Sequence, residues 1–266
     1  MTTVAWIGGA VVDPSRGGIA LDDHGLTAGD GCFETIAVRD GRPFALDRHL
    51  ARLARSCRGL GLAPPDGDEM HEACRQVLAA RIGVGCLRVV VTAGRGPLGS
   101  ARGCSAPTLA VLAGPAPHRS PTAAVVTGPW VRNERSPVAG LKTTSYAENV
   151  VALAWAHERG ADEVLFRNTR GELCEGSGTN VVVLLGGELV TPPLASGCLA
   201  GVTRGLLLER GAVVERVVTD EPIEGMALTS SMRGVQPVDR LDDRSLPIGA
   251  MAALVDEWAL VSRAYT

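Results

Sequence analysis

Short apolar runs alternate with longer amphipathic stretches along the first 113 residues of the chain. Such short runs, bounded by glycine, proline or polar residues, are typical of β-strands. The residues that recur at helical spacing and predict one buried stripe on a helix are Leu50, Leu53, Ala54, Cys57 and Leu60. The elements predicted here are strands over residues 4–7, 10–12, 35–39, 85–92 and 108–113 and helices over residues 47–60 and 68–81.

The pattern after residue 121 is also mixed. Ser145 and Glu148 form a Ser-x-x-Glu capping box, which predicts a helix that ends near Gly160. The apolar face predicted for this helix consists of Ala147, Val150, Val151, Ala154 and Trp155. Further strands are predicted over residues 123–127, 162–167, 179–185, 188–191, 213–218, 226–230 and 234–238, and helices over residues 203–210 and from about residue 247. The lack of regular β-α-β alternation predicts an α+β protein rather than a doubly wound sheet.

Residues 114–121 contain three prolines and no apolar period, so they are predicted to be a linker. We therefore expect a small N-terminal α/β lobe over residues 1–113 and a larger C-terminal lobe over residues 122–266.

Composition and charge limit the classes of partner. The chain has 45% hydrophobic and 21% charged residues, as globular proteins do, with a net charge of −3. Since no basic run occurs, we expect a small-molecule substrate and neither nucleic acid nor membrane as a partner. The seven cysteines include no Cys-x-x-Cys pair, which predicts no metal site, no disulfide framework and a reducing cytoplasmic location.

Lys142 is the only lysine of the chain, and all other Lys+Arg positions are arginine. Arginine can replace lysine in surface charge and ion pairs, but it cannot lose its proton near neutral pH and attack a carbonyl group. Lys142 is therefore a candidate Schiff-base residue. The alternative is that one lysine survived by chance in an arginine-rich sequence.

Four segments together resemble the class IV aminotransferase family. They are Gly-Asp-Gly-Cys-Phe-Glu-Thr at residues 29–35, the sequence around Arg52, Gly-Leu-Lys-Thr-Thr-Ser-Tyr at residues 140–146, and Glu-Gly-Ser-Gly-Thr-Asn at residues 175–180. The family includes branched-chain aminotransferases, D-amino acid transaminases and aminodeoxychorismate lyases. The resemblance spans residues 29–237 and implies a two-lobed α+β fold of type IV. It also implies a homodimer, with pyridoxal 5'-phosphate held between the lobes.

The resemblance implies a role for each motif residue. Lys142 binds the cofactor covalently and moves the proton at the reacting carbon, and Tyr146 donates a hydrogen bond to the phenolic oxygen of the cofactor. Glu175 keeps the pyridine nitrogen protonated, which makes the ring an electron sink. Asn180 is expected to brace its loop rather than to contact substrate. Tyr146 could instead pack on the core, and Glu175 could be solvated.

The resemblance also implies a set of phosphate contacts. Arg52 offers a planar guanidinium, and residues 201–203 lie where a helix begins, so that free amides can face an anion. The expected contacts are Arg52, Gly201, Val202, Thr203, Ser230 and Ser231. The alternatives are a surface arginine for Arg52 and an ordinary helix cap for residues 201–203.

Two segments bear on the subfamily. Gly29-Asp30-Gly31 is similar to lyases and D-amino acid transaminases, although Glu34 departs from one lyase pattern, in which threonine occupies that place. Arg95 and Arg102 lie in a glycine-rich loop and are candidates for holding a substrate carboxylate, or are simply solvated. The transaminase pattern pairs arginine with histidine, and the loop contains no histidine. No role is assigned to the four histidines His24, His71, His118 and His157.

Within the family, the sequence favours 4-amino-4-deoxychorismate lyase, which forms 4-aminobenzoate and pyruvate for folate synthesis. The first alternative is an aminotransferase that acts on D- or branched-chain amino acids with 2-oxoglutarate. The second is a protein that binds pyridoxal phosphate without catalysis.

Overall fold

The computed structural model describes residues 3–15 and 18–265, and its contacts divide them into two compact units. The first unit extends to Pro117 and also includes Leu141–Tyr146. The second consists of His118–Gly140 and Ala147–Tyr265. The boundary between the two units, at Pro117, lies within the predicted linker of residues 114–121. The sequence did not predict that residues 141–146 belong to the first unit. The outer ends of the two predicted lobes, residues 1 and 266, lie outside the described residues.

The first unit is a six-stranded antiparallel sheet with two helices packed on one face. In chain order its elements are β1 (Val4–Ile7), β2 (Ala10–Val12), α1 (His24–Thr27), β3 (Gly31–Arg39), β4 (Arg42–Pro43), α2 (Leu46–Gly59), α3 (Gly67–Ala79), β5 (Cys86–Thr92) and β6 (Thr108–Gly114). The strand order is β2-β1-β6-β5-β3-β4. Strand β3 begins at residue 31, four residues before its predicted start.

The core of the first unit lies between this sheet and helices α2 and α3. Leu53 and Cys57 of α2 are fully buried, and Leu50 packs against the same cluster, so the predicted stripe is confirmed. Leu87 and Val89 of β5 belong to the same core. One face of β3 and β5 is thus covered by helices, and their alternate residues point to the other face.

The second unit is built around a nine-stranded mixed sheet. Its elements are β7 (Ala123–Arg132), α4 (Ala147–His157), β8 (Glu163–Asn168), β9 (Leu173–Gly176), β10 (Asn180–Leu185), β11 (Glu188–Thr191), α5 (Val202–Glu209), β12 (Val214–Glu215), β13 (Gly225–Ser230), β14 (Gly234–Leu241), β15 (Arg244–Ser245) and α6 (Ala252–Arg263). The strand order is β12-β11-β10-β13-β14-β7-β8-β9, with β15 paired to β14. Strand β7 runs parallel to β8 and β14 without regular β-α-β alternation, which confirms the α+β class. None of the helices in the described residues has the length and apolar character needed to cross a membrane.

The predicted packing of helix α4 is confirmed only for Trp155, which packs partly buried against the core, and is wrong for the other four residues. Val150 and Val151 are 61% and 57% exposed, and the buried residues are instead Asn149, Ala152 and Ala156. Apolar residues occur on more than one face of this helix. The face that packs on strands β7 and β8 contains the small residues Ala152 and Ala156. The helix also begins at Ala147 rather than beside a Ser145 cap.

Candidate active site

Residues Leu141–Tyr146 form an extended segment, here called the strap, that is bound along β3 in the first unit. The amide of Phe33 donates to the carbonyl of Lys142 at 3.0 Å, and the amide of Thr144 donates to the carbonyl of Gly31 at 2.8 Å. The amide of Lys142 donates to Oγ of Ser56 on α2 at 3.2 Å. The backbone that carries the only lysine is therefore fixed from two sides.

Gly29-Asp30-Gly31, the segment expected to indicate the subfamily, has a structural role in holding the strap. The carbonyl of Gly29 accepts hydrogen bonds from Oγ1 of Thr144 at 2.8 Å and from Oγ of Ser145 at 2.9 Å. The latter contact occupies the hydroxyl that was predicted to cap α4. A side chain at Gly29 would meet Ser145, and Gly29 has φ +67°, so glycine is required there.

The side chains of the strap gather around the ring of Phe33. Nζ of Lys142 lies 4.5 Å from the centre of that ring. The ring of Tyr146 meets Phe33 edge to face at 5.4 Å, and Nζ of Lys142 is 5.8 Å from the centre of the Tyr146 ring. The first unit thus brings the predicted lysine and tyrosine together on one aromatic side chain.

Arg88 joins this group and was missed by the sequence analysis. Its guanidinium carbon lies 3.8 Å from the centre of the Phe33 ring. Arg88 alternates along β5 with the buried Leu87 and Val89, so it points away from the helices, to the face that carries Phe33. Desolvation lowers the pKa of the Arg88 guanidinium, but arginine stays charged throughout the physiological range. A lone cation within the strand sequence Cys-Leu-Arg-Val-Val-Val-Thr was the signal that could have identified it.

Arg52 is buried in an ion-paired cluster with Glu34 and His49. Its Nε and Nη2 atoms donate to the two carboxylate oxygens of Glu34 at 2.7 and 2.6 Å. Nδ1 of His49 lies 2.8 Å from Oε2 of Glu34. Burial raises the pKa of Glu34, but Arg52 and then His49 outweigh this and lower it to about 2. Arg52 is therefore not the solvated surface residue considered as an alternative, and its guanidinium plane is fixed by Glu34.

The second unit carries Glu175 on strand β9. Its Oε2 accepts a hydrogen bond from the amide of Leu199 at 2.9 Å, and its Oε1 lies 3.6 Å from Nε of Arg132. Arg132 is held in turn by Glu148 at 2.7 Å and by Asn149 at 2.6 Å. The carboxylate is thus oriented by a backbone donor and a fixed guanidinium.

The start of helix α5 and the end of strand β13, which pack against each other, contain the remaining predicted residues. Gly201 precedes the helix, and Val202 and Thr203 are its first residues. No side chain among the described residues caps this helix. Nδ2 of Asn180 donates to the carbonyl of Leu199 at 2.8 Å, so Asn180 braces the loop before α5 rather than its own loop at residues 175–180. A Cβ atom at Gly201 would lie 1.9 Å from Oδ1 of Asn180, so the tight approach requires glycine.

Two buried hydroxyls in this region fit a phosphate group. Oγ1 of Thr203 and Oγ1 of Thr229 have no hydrogen-bond partner within residues 3–15 and 18–265. An unsatisfied buried hydroxyl costs about 1–3 kcal/mol, so two of them beside the start of a helix indicate a missing acceptor. Ser231 is 8% exposed nearby, and Oγ of Ser230 accepts a hydrogen bond from the amide of Arg233 at 3.1 Å.

Arg95 and Arg102 form ion pairs with carboxylates of the first unit. Arg95 forms an ion pair with Asp22 at 2.8 Å and its side chain is 67% exposed. Arg102 donates to both carboxylate oxygens of Asp30 at 2.6 Å. Both guanidiniums are already paired with carboxylates, and their predicted contact with substrate stays a prediction.

Comparison with known proteins gives a consistent set of relatives. The family model for amino-transferase class IV matches residues 31–241. A bifunctional aminodeoxychorismate lyase / D-amino acid transaminase of Mycobacterium tuberculosis is 31% identical, over 96% of this chain and 96% of its own length.

Two solved structures match over nearly the whole chain. A hypothetical aminotransferase from Mycobacterium tuberculosis in its PLP-bound form has a TM-score of 0.83 at 31% identity, covering 96% of this chain and 98% of that chain. A 4-amino-4-deoxychorismate lyase from Pseudomonas aeruginosa has a TM-score of 0.82 at 29% identity, covering 95% and 97%.

Proposed function

Because the chain belongs to the class IV aminotransferase family, we propose that it is a 4-amino-4-deoxychorismate lyase that releases 4-aminobenzoate and pyruvate. Membership makes it a pyridoxal phosphate-dependent enzyme, either a lyase or an aminotransferase. The bound cofactor supplies an electron sink for negative charge on the substrate carbon beside the nitrogen.

The observation that carries the proposal is that Arg88 and Lys142 both contact the ring of Phe33. Both cationic groups lie on the ring of Phe33, at 3.8 and 4.5 Å from its centre, so they are no more than about 8 Å apart. Of the two, only the lysine can exchange a proton near neutral pH, whereas the guanidinium is a permanent, planar partner for a carboxylate. Lys142 moves the proton at the reacting carbon, and Arg88 holds a carboxylate of the substrate.

The other residues of the site hold and tune the cofactor. Glu175, oriented by Leu199 and Arg132, keeps a proton on the ring nitrogen of the cofactor. The hydroxyls of Thr203 and Thr229 donate to its phosphate, together with the amides of Val202 and Thr203 in the first turn of α5. The amide of Gly201 donates instead to the carbonyl of Leu199 at 2.8 Å. Arg52 adds a charged contact, with its orientation set by Glu34.

A lyase is favoured over a transaminase because the two loop arginines, Arg95 and Arg102, are paired with aspartates and the loop contains no histidine. A substrate with two carboxylates and no α-amino acid group needs no arginine-histidine pair in the loop. Arg95 and Arg102 are engaged with Asp22 and Asp30, while Arg88 is carried by a central strand of the sheet. D-amino acid transamination is the second candidate, because the Mycobacterium tuberculosis relative is named for both activities.

The decisive experiment compares two reactions of the same purified holoenzyme. A lyase forms 4-aminobenzoate from aminodeoxychorismate through many turnovers without a keto acid, whereas a transaminase requires 2-oxoglutarate. Transfer from D-alanine to 2-oxoglutarate without any 4-aminobenzoate would reject the lyase and favour the second candidate. Borohydride reduction should attach the cofactor to the peptide that contains Lys142, since no other lysine exists.

Arg88→Ala tests the carboxylate contact. Loss of a charged hydrogen bond costs about 1.5–3 kcal/mol, so KM should rise roughly 10- to 150-fold, with a smaller effect in Arg88→Lys. Arg75→Ala is the matched control, because Arg75 lies on α3 of the same unit with its side chain 68% exposed. An unchanged KM in Arg88→Ala would remove Arg88 from the site.

The homodimer implied by the family is also a proposal. Its support is the apolar face of α4, where Val150 and Val151 are exposed in the single chain. Sedimentation should give a dimer for the wild-type protein and a shift towards monomer for Val150→Glu. A wild-type monomer at micromolar concentration would contradict it.

A further inference from the structure

His24, which was assigned no role from the sequence, is buried at the start of α1 with both ring nitrogens engaged. Nδ1 lies 2.9 Å from Oδ2 of Asp30, and Nε2 lies 2.8 Å from the carbonyl oxygen of Gly99. A carbonyl oxygen and an ionised carboxylate accept hydrogen bonds but donate none. A neutral imidazole has one N–H and can satisfy only one of them, whereas an imidazolium satisfies both.

The charged groups that act on the ring are Asp30 and Arg102. The hydrogen bond to Asp30 and then the one to the Gly99 carbonyl raise the pKa of His24, against desolvation and the positive charge of Arg102. Arg102 binds both oxygens of the same carboxylate. Asp30 therefore lies between two cations, one from α1 and one from the loop of residues 94–103.

These contacts join the loop of residues 94–103 to the backbone that holds Lys142. Gly99 and Arg102 belong to the loop, and Asp30 lies between the two glycines whose carbonyls bind the strap at Thr144. His24 also packs against the loop, since a Cβ atom at Gly96 would lie 3.3 Å from its ring.

We propose that His24 is a positioning residue, which as an imidazolium fixes the loop of residues 94–103 to Asp30 and so to the segment that holds the strap. Deprotonation removes one of the two hydrogen bonds and loosens the loop. The consequence for catalysis rests on the proposed function, whereas the coupling between protonation and loop order does not.

The pH range follows from the direction of the shift. Because the folded pKa of His24 is raised, the contact is complete below the unfolded value of about 6.5 and is lost as pH rises through the folded pKa. The loop should therefore be ordered below about pH 6.5 and become looser as pH rises through the raised pKa of His24.

Limited trypsin digestion of the holoenzyme measures this directly, because Arg102 is followed by glycine in the loop. The wild-type protein, His24→Gln and the control His71→Gln are compared from pH 6 to pH 9, with rates normalised to a peptide substrate. His71 is a suitable control because both its ring nitrogens are also engaged, with Gly67 and Asp47, away from the loop.

We expect His24→Gln to be cut at Arg102 about 10-fold faster than wild type at pH 6, with the ratio approaching one as pH rises. His71→Gln should match the wild type throughout. A ratio of one at pH 6, or a ratio independent of pH, would overturn the proposal, the latter because it indicates a purely structural role. If His24→Gln does not fold, the normalised cleavage of the wild type alone must rise with pH, and a flat profile overturns the proposal.

Kinetics add a second readout. At pH 6 the KM of the wild type should be lower than that of His24→Gln, and the two KM values should converge as pH rises. The kcat values of the two proteins should change in parallel over this range. If the enzyme has neither proposed activity, the digestion still tests the role of His24. Failure of the proposed function can therefore be distinguished from failure of the His24 proposal.

Discussion

Glu34→Gln is expected to destabilise the first unit more than most single substitutions, although it replaces one polar group by another of similar size. Glu34 is fully buried, and its charge is balanced by a bidentate contact with Arg52. A neutral amide leaves the Arg52 guanidinium, which is 6% exposed, without its counter-charge. Breaking a buried ion pair by removing one partner typically costs about 3–5 kcal/mol.

The pKa of Glu34 points in the same direction. Against the effect of burial, Arg52 and His49 lower it from an ordinary 4.5 to about 2, so the folded protein favours the charged carboxylate. Since the folded pKa is lowered, the stability that the charged carboxylate contributes is present above about pH 4.5 and is lost as pH falls towards 2. Glu34→Gln should therefore also flatten the loss of stability in acid.

The assay is urea unfolding of the cofactor-free protein at pH 7, with Arg52→Met and the double variant completing a cycle. The double variant should lose clearly less stability than the two single losses combined, because neither buried charge is left alone. Glu72→Gln is the control, because Glu72 also pairs with an arginine but its side chain is exposed to solvent. The free energy of unfolding of this variant should equal that of the wild type. Additive losses, or a Glu34→Gln protein as stable as the wild type, would refute the reasoning.

The second unit supplies three further predictions. Thr203→Val should leave the cofactor-free protein as stable as before or more so, because it removes an unsatisfied hydroxyl, while the dissociation constant of pyridoxal phosphate rises about 10-fold in a dialysis titration. Gly201→Ala should weaken cofactor binding at least as much, since its Cβ would displace Asn180 from the loop, and normal affinity would contradict the tight approach. Glu175→Gln should retain the cofactor yet lower kcat strongly, because an amide cannot keep the ring nitrogen protonated; an unchanged single-turnover rate would assign Glu175 another task.

The sequence singled out features that have few alternative explanations. Lys142 stood out because no other lysine competes with it, and the α2 stripe followed from helical spacing. Glu34 could not be predicted as a buried ion because its partners lie 15 and 18 residues away on a helix, and a charge inside a strand opposes the usual pattern. Arg88 was missed for the same reason, since its importance depends on the register between β3 and β5.

The packing of α4 was predicted wrongly for a different reason. Apolar side chains occur on more than one face of this helix, so periodicity could not select the face that packs on the sheet. The same ambiguity does not arise for α2, where Asp47 and Arg58 mark the solvent side.

The strap also affects how the chain can fold during synthesis. The first unit takes one of its inner segments from residues 141–146, although residues 118–140 belong to the second unit. At about 5–20 residues per second, a ribosome needs roughly 1.5–6 s to pass from residue 117 to residue 146. For that interval β3 lacks its partners for the amide of Phe33 and the carbonyl of Gly31, and its edge along this stretch is open to other extended chains. Lys142, the proposed Schiff-base residue, is thus carried by the segment that completes the first unit, so a nascent chain closes this unit and gains the lysine amine at the same step.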